Sequence, residues 1–266
     1  MAAPVYADHP FPLITTPVFA ALSKDPNCKP DEFDYNASEM ANVHNMVIRG
    51  INSIYLQAPH IQPADHKAFS RYILAFYTLL HVHHTGEEEL FFPEVERMTG
   101  VKGVMDGNIE QHRVFGAGLE SLKEFAEGVM ANKHGFDGKK VVEIIDGFGE
   151  SLVKHLTEEI PTLVGLRAHG EKMKGLTKAL QDEAEHSMKT VGMAAMVWCF
   201  ANLDIHREND LWLSWPPAPA PLKFLLKTIF WWYHADCRRF GSTDKRGNLR
   251  PLPYAVSATE VQGKTA

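Results

Sequence analysis

Four stretches of the chain place apolar residues three and four apart, the spacing that lays them along one face of an α-helix. From Ser38 to about Gln57 the stripe is His44, Ile48, Ile51 and Tyr55. A second helix is predicted from Asp65, as N-cap, to about Met98, with Phe69, Tyr72, Phe76, Leu79, Leu80, His83, Glu87 and Leu90 on one face. A glycine-bearing break at 100–107 precedes a third helix, to about Ala131, that carries Ile109, His112, Phe115, Leu119, Leu122 and Ala126. After a second break at 132–138, a fourth carries Val141, Ile144, Ile145, Phe148, Leu152, His155, Glu159, Thr162 and Leu166. Long amphipathic helices on short connections pack antiparallel to their chain neighbours. The predicted fold is therefore all-α, an up-down-up-down four-helix bundle over residues 38–168.

The flanks read differently. Residues 1–37 are rich in proline and turn formers and predict an extended arm lying over the bundle. Residues 169–266 predict a C-terminal helical extension packed on it. Its elements are a helix from Ala184 to Leu203, a stiff spacer from Trp215 to Pro221, and a last apolar helix from Leu222 to Phe240. Pro93 and Pro161 fall within predicted helices, where each removes a backbone N–H and favours a bend.

Several stripes contain residues that do not belong in a core. His83 and Glu87, and again His155 and Glu159, stand four apart, so each pair stacks an imidazole and a carboxylate one turn apart on one face. Such groups are costly inside an apolar core unless something satisfies them, and a metal ion would. The stripe places His83 and Glu87 inward and leaves His84 and Glu88 on a more polar face with Tyr77 and His81. Likewise it turns His155 and Glu159 inward and Glu158 outward. Height along the bundle is a second test. His112 lies about 28 Å before the end of its helix and His155 about 26 Å after the start of the next, so the two meet. His60 and His66 sit at a turn about 24 Å or more from the layer of His44 and His83, which excludes them. A lone core histidine is ordinarily a hydrogen-bonded structural residue. One from each of four helices, joined by two inward carboxylates, is a metal-ligand set: His44, His83, Glu87, His112, His155 and Glu159.

Composition narrows the setting. The chain has 266 residues, 14 His and 3 Cys, with a net charge of -6. Cys28, Cys199 and Cys237 have neither zinc-site spacing nor an even count, which points to a reducing compartment. Met1 to Ala20 lacks a basic start and an unbroken apolar run, so a cytoplasmic location is expected. The run Val191–Leu203 is too short to span a bilayer, so no transmembrane segment is expected. The negative charge argues against nucleic acid as a partner, and the basic cluster Arg238, Arg239, Lys245, Arg246 and Arg250 reads as solvated surface. A monomer is expected.

A histidine on helix one, HxxxE running to Phe-Pro on helix two (His83–Pro93), Glu110-Gln111-His112 opening helix three and HxxxE on helix four together resemble the hemerythrin-like, or HHE cation-binding, domain. The long extensions are similar to those of fungal members. The resemblance implies a non-haem di-iron centre with two irons per chain. Glu87 and Glu159 would bridge, and His44, His83, His112 and His155 would be terminal ligands. It also implies dioxygen or another small oxidant as partner. Oxygen-carrying hemerythrins bring two histidines one turn apart from helix three, whereas His112 has Asn108 and Gly116 at that spacing, so fewer nitrogen ligands are expected here. Two functional classes compete: a protein that binds or senses small oxidants or handles iron, and a di-iron oxidase or oxygenase acting on an apolar small molecule. In the second, Met193, Met196, Trp198, Phe200, Trp231 and Trp232 would line a pocket under the C-terminal helices. A metal-free interaction module fits poorly, and a ferritin-like site fits worse, because Glu183–His186 is the only Glu-x-x-His pair at i, i+3 and lies outside the bundle.

Overall fold

The computed structural model describes residues 3–217, 220–228, 232 and 235–256. A short helix, α1 (Pro17–Lys24), is capped by the Thr16 hydroxyl and leads to α2 (Glu32–Gln57). The latter begins six residues before the predicted start at Ser38 because Asp31 and Asp34 form a reciprocal capping box. Next come α3 (His66–Gly86), a π-turn (Glu87–Phe91) and α4 (Phe92–Thr99), which ends at Gly100 in the left-handed conformation. They are followed by α5 (Asp106–Met130), α6 (Gly138–Asp146) and α7 (Gly149–Gly165). The long helices α2, α3, α5 and α7 pack each on the next, and α7 closes on α2, giving an all-α four-helix bundle. Among the described residues the β pairing is one isolated bridge, Thr243 to Leu249.

Two predicted helices are interrupted. The second passes through the π-turn, which adds a residue per turn and shifts the phase, so Phe91 and Phe92 are buried and Leu90, expected on the inner stripe, faces solvent. Pro93 stands at the start of α4 just after this turn, where its missing N–H disrupts least. The fourth breaks at Gly147 and Phe148, between α6 and α7, while Pro161 lies inside α7. Asp65 occupies the N-cap position of α3 but makes no capping bond; its carboxylate turns to Arg239 and Tyr254 of the C-terminal tail.

The arm is strapped to α2. Asn52 accepts from the Phe11 N–H at 3.0 Å and donates to the carbonyls of Phe11 and Ala7, while Asn45 makes a matching pair with the backbone of Ile14. These bonds let Ala7, Phe11 and Ile14 enter the core.

The C-terminal third is built onto the same core. Helices α8 (Leu176–Thr190) and α9 (Gly192–Phe200) lie against α3. Trp198 sits on Gly50 so closely that a Cβ there would be 2.1 Å from its ring. Trp198 also packs against Tyr72 and Phe76, while Met193, Met196 and Phe200 join a second apolar cluster with Trp212 and Trp215. These side chains, expected around a pocket, therefore fill core. Of the last predicted helix, Ala220–Thr228 and Ala235–Arg238 are helical, Trp232 is exposed, and Trp231 and Tyr233 lie outside the described residues. No helix among the described residues is long and apolar enough to cross a membrane.

Removing the Asn52 side chain should leave three buried backbone groups without partners. Asn52→Ala is expected to lower unfolding free energy by about 2–4 kcal/mol, whereas removing the exposed Glu110–Arg113 pair by Glu110→Ala should cost under about 0.5 kcal/mol. Urea denaturation measures both, and equal effects would show that the arm contributes nothing to the folded state.

Candidate metal centre

Halfway along the bundle the apolar layers give way to a buried cluster of five imidazoles and two carboxylates. From α2 comes His44, from α3 His83 and His84, from the π-turn Glu87, from α5 His112, and from α7 His155 and Glu159. All six residues singled out from the sequence converge here. His84, expected to point away, is the seventh. The reason is that α3 packs against α2 on one side and α5 on another and so buries an arc wider than one stripe. His83 faces His44 of α2, with ring centroids 5.4 Å apart, and the next residue turns about 100° to stack His84 on His112 of α5 at 4.1 Å. The adjacent histidine pair was the visible signal for this. His66 instead stacks on Phe136, and His60 lines a surface pocket with Tyr254.

Hydrogen bonds set which nitrogen of each ring is free. His44 Nδ1 lies 2.7 Å from the Leu156 carbonyl, which only a protonated nitrogen can satisfy, so its lone pair is on Nε2. His155 Nδ1 is 3.1 Å from Gln111 Oε1, and Gln111 is held in that sense because its amide nitrogen donates to Glu158 at 2.6 Å. His112 Nδ1 donates to Glu88 at 2.6 Å. Both of the latter rings therefore turn an acceptor Nε2 inward, and these two nitrogens stand 3.0 Å apart. Two lone pairs at that separation repel unless a cation lies beside them. At ordinary metal–nitrogen lengths, two imidazoles at right angles on one ion have nitrogens about 3 Å apart. Gln111 and Glu88, neither predicted to matter, are the groups that aim the rings.

The carboxylates lie between two sets of nitrogens. Ligand atoms of His84, Glu87, His112 and His155 are all within 4.8 Å of one another, and so are those of His44, His83 and Glu87. Glu87 belongs to both sets: one oxygen is 3.2 Å from His83 Nε2 and the other 3.6 Å from His112 Nε2. Glu159 reaches across the same divide, 3.4 Å from His44 Nε2 and 4.0 Å from His155 Nε2. Both oxygens of each carboxylate, and Nε2 of His44, His83 and His84, are buried without a hydrogen-bond partner.

Burial opposes every charge here. It pushes His44 down to about 4 and His155 to about 2, with neighbouring imidazoles adding to the shift, and it holds His83 and His84 well below the ordinary value. Burial also raises Glu159 to about 8 and Glu87 well above the usual carboxylate range, and the buried Glu183 raises both further. Neutral imidazoles offering lone pairs beside carboxylates form a donor set that could hold metal cations.

Residues 36–166 match the hemerythrin HHE cation binding domain. Over 248 residues, 92% of this chain and 91% of the relative, the sequence is 30% identical to the dimeric xanthone biosynthesis cluster protein R11 of Cryptosporiopsis sp. (strain 8999). No solved structure matches. With the family domain covering the bundle that holds the cluster, and a relative similar along nearly its whole length, this chain belongs to the hemerythrin family of HHE cation-binding proteins.

Proposed function

We propose that this protein holds two iron ions and uses them to bind or react with dioxygen or a related small oxidant. His84, His112 and His155 would hold one ion and His44 and His83 the other, with Glu87 and Glu159 placed between the two sets of nitrogens. The observation that carries this reading is the pair of Nε2 lone pairs 3.0 Å apart on His112 and His155, each fixed by a hydrogen bond behind it. With His84 the set offers five nitrogens rather than the four expected from the sequence, the fifth coming from α3.

When bound, iron supplies one-electron chemistry and an affinity for dioxygen. The chain's own part is placement and shielding. Phe92 and Phe115 pack beside the His112 ring, and His83, His84 and His112 are only 6–7% exposed, so the approach suits a small molecule. Glu88 is half-exposed and joined to His112 Nδ1, which keeps that ring's proton on the solvent side and its lone pair on the metal side.

A second reading, an oxidase acting on an apolar organic molecule, draws support from the relative named for a xanthone biosynthesis cluster. Against it, Trp198, Phe200, Met193 and Met196 fill the space where such a substrate would lie.

Protein produced with ample iron should contain about two irons per chain and gain a visible absorption band in air after anaerobic reduction. A single zinc, or no metal, would rule the proposal out. His84→Ala and His155→Ala should each strip most of the metal, while His60→Ala should retain it; metal analysis of the purified variants decides. A His84→Ala protein with full metal content would return that residue to a packing role.

The pH response follows from the shifted groups. In the metal-free protein Glu159, raised from 4.5 to about 8, contributes stability below pH 4.5 that is lost as pH rises through 8, at about 1.4 kcal/mol per pH unit at most. His44, lowered from 6.5 to about 4, acts in the opposite sense and loses stability as pH falls below 6.5. Bound metal relieves the first effect, and proton competition for imidazole weakens binding in acid. The melting-temperature gain from metal should therefore widen steadily from pH 6 to pH 8, as read by differential scanning calorimetry with and without chelator. A gain that is flat or shrinks over that range would contradict the assignment.

A further inference from the structure

We propose that Glu183, supplied by α8 from outside the matched domain, is a third buried carboxylate of the metal centre. It lowers the net positive charge of the centre and so biases bound iron toward its oxidised state. This rests on the reading of bound iron above.

The placement is specific. Helix α8 packs on α2, on α3 and on the π-turn that carries Glu87. Glu183 is 4% exposed, and its Oε1 accepts the Ser187 hydroxyl at 2.6 Å. The same oxygen lies 2.4 Å from where a Cβ on Gly86 would stand, and the Ser187 hydroxyl lies 2.7 Å from it. Any side chain at position 86 would displace this carboxylate; glycine lets it rest on the backbone one residue before Glu87. The charge of Glu183 is felt by both Glu87 and Glu159, and its own hydrogen-bond donor is a neutral hydroxyl.

A third buried carboxylate, resting on the backbone next to Glu87, repels Glu87 and Glu159, an arrangement that is unfavourable without compensating cations. Two iron ions bring at least four positive charges. Glu87 and Glu159 contribute two negative ones and the neutral imidazoles none, so a buried excess of positive charge remains. Oxidation increases that excess. Burial pushes Glu183 toward its neutral form and the positive charge of bound ions favours its ionised form; once ionised, it stabilises the oxidised ions more than the reduced ones. Glu183 is thus a positioning residue that acts through charge, and it makes the docking of the C-terminal extension a determinant of the metal's potential.

The test is spectroelectrochemical titration of the full-length, iron-loaded protein. Glu183→Gln keeps the shape and the Ser187 hydrogen bond but removes the charge; iron content should be unchanged and the midpoint potential should move positive. Glu183→Asp should restore most of the wild-type potential, which a purely structural role would not predict. Ser187→Ala retains the charge but removes the hydroxyl that disperses it, and should move the midpoint negative, so it decides the matter if the Gln variant fails to fold. An unmoved potential in iron-loaded Glu183→Gln, or in Ser187→Ala, overturns the proposal while leaving the iron-binding reading intact. A wild-type protein that takes up no iron removes both.

Discussion

The structure depends on one conflict, the burial of imidazole lone pairs against each other and of carboxylates without counter-charge. Each nitrogen or carboxylate oxygen left without a partner in an apolar core costs on the order of 1–3 kcal/mol. The cluster holds seven such atoms, on His44, His83, His84, Glu87 and Glu159. His44, His112 and His155 have Nδ1 committed, so their neutral rings turn only acceptors toward the carboxylates, and the cluster is short of donors unless a proton or a cation enters it. Cations resolve the conflict, and the rest of the bundle can be understood as the frame that keeps it from relaxing.

That frame acts at two distances. Next to the rings, the Leu156 carbonyl, Gln111 and Glu88 hold three Nδ1 atoms, so the rings cannot turn their lone pairs away from one another. Further out, packing holds the helices at fixed separation. The arm, tied to Asn45 and Asn52, adds Phe11 and Ile14 to the bundle core, and Trp198 wedges against Gly50 on the same helix as His44. The extension is therefore part of the support of the site, and through Glu183 it reaches the edge of the site itself.

Much of this was legible in the residues. Apolar period marks the helices, because a helix with one wet face must alternate at 3.6 residues. The same period marks His44, His83, Glu87, His112, His155 and Glu159 as inward, since a stripe that buries Leu and Phe buries whatever else stands on it. Capping chemistry was legible only locally: Asp31 caps α2 through neighbours in sequence, whereas Asp65 at the matching position of α3 is drawn off by Arg239 and Tyr254, far along the chain.

By itself, then, the sequence determined the helices, the inward face of each and the chemical class of the centre, all of which follow from periodicity within single helices. Tertiary structure decided what depends on more than one helix. His84 enters the cluster because α3 packs on α5 as well as on α2, and Leu90 leaves the core because the π-turn alters the phase. Trp198 and Phe200 become packing because the bundle offers Gly50 and a second apolar cluster to receive them. Glu183 comes to rest beside Gly86 because α8 folds back over it, a contact between residues nearly a hundred positions apart that no local spacing encodes.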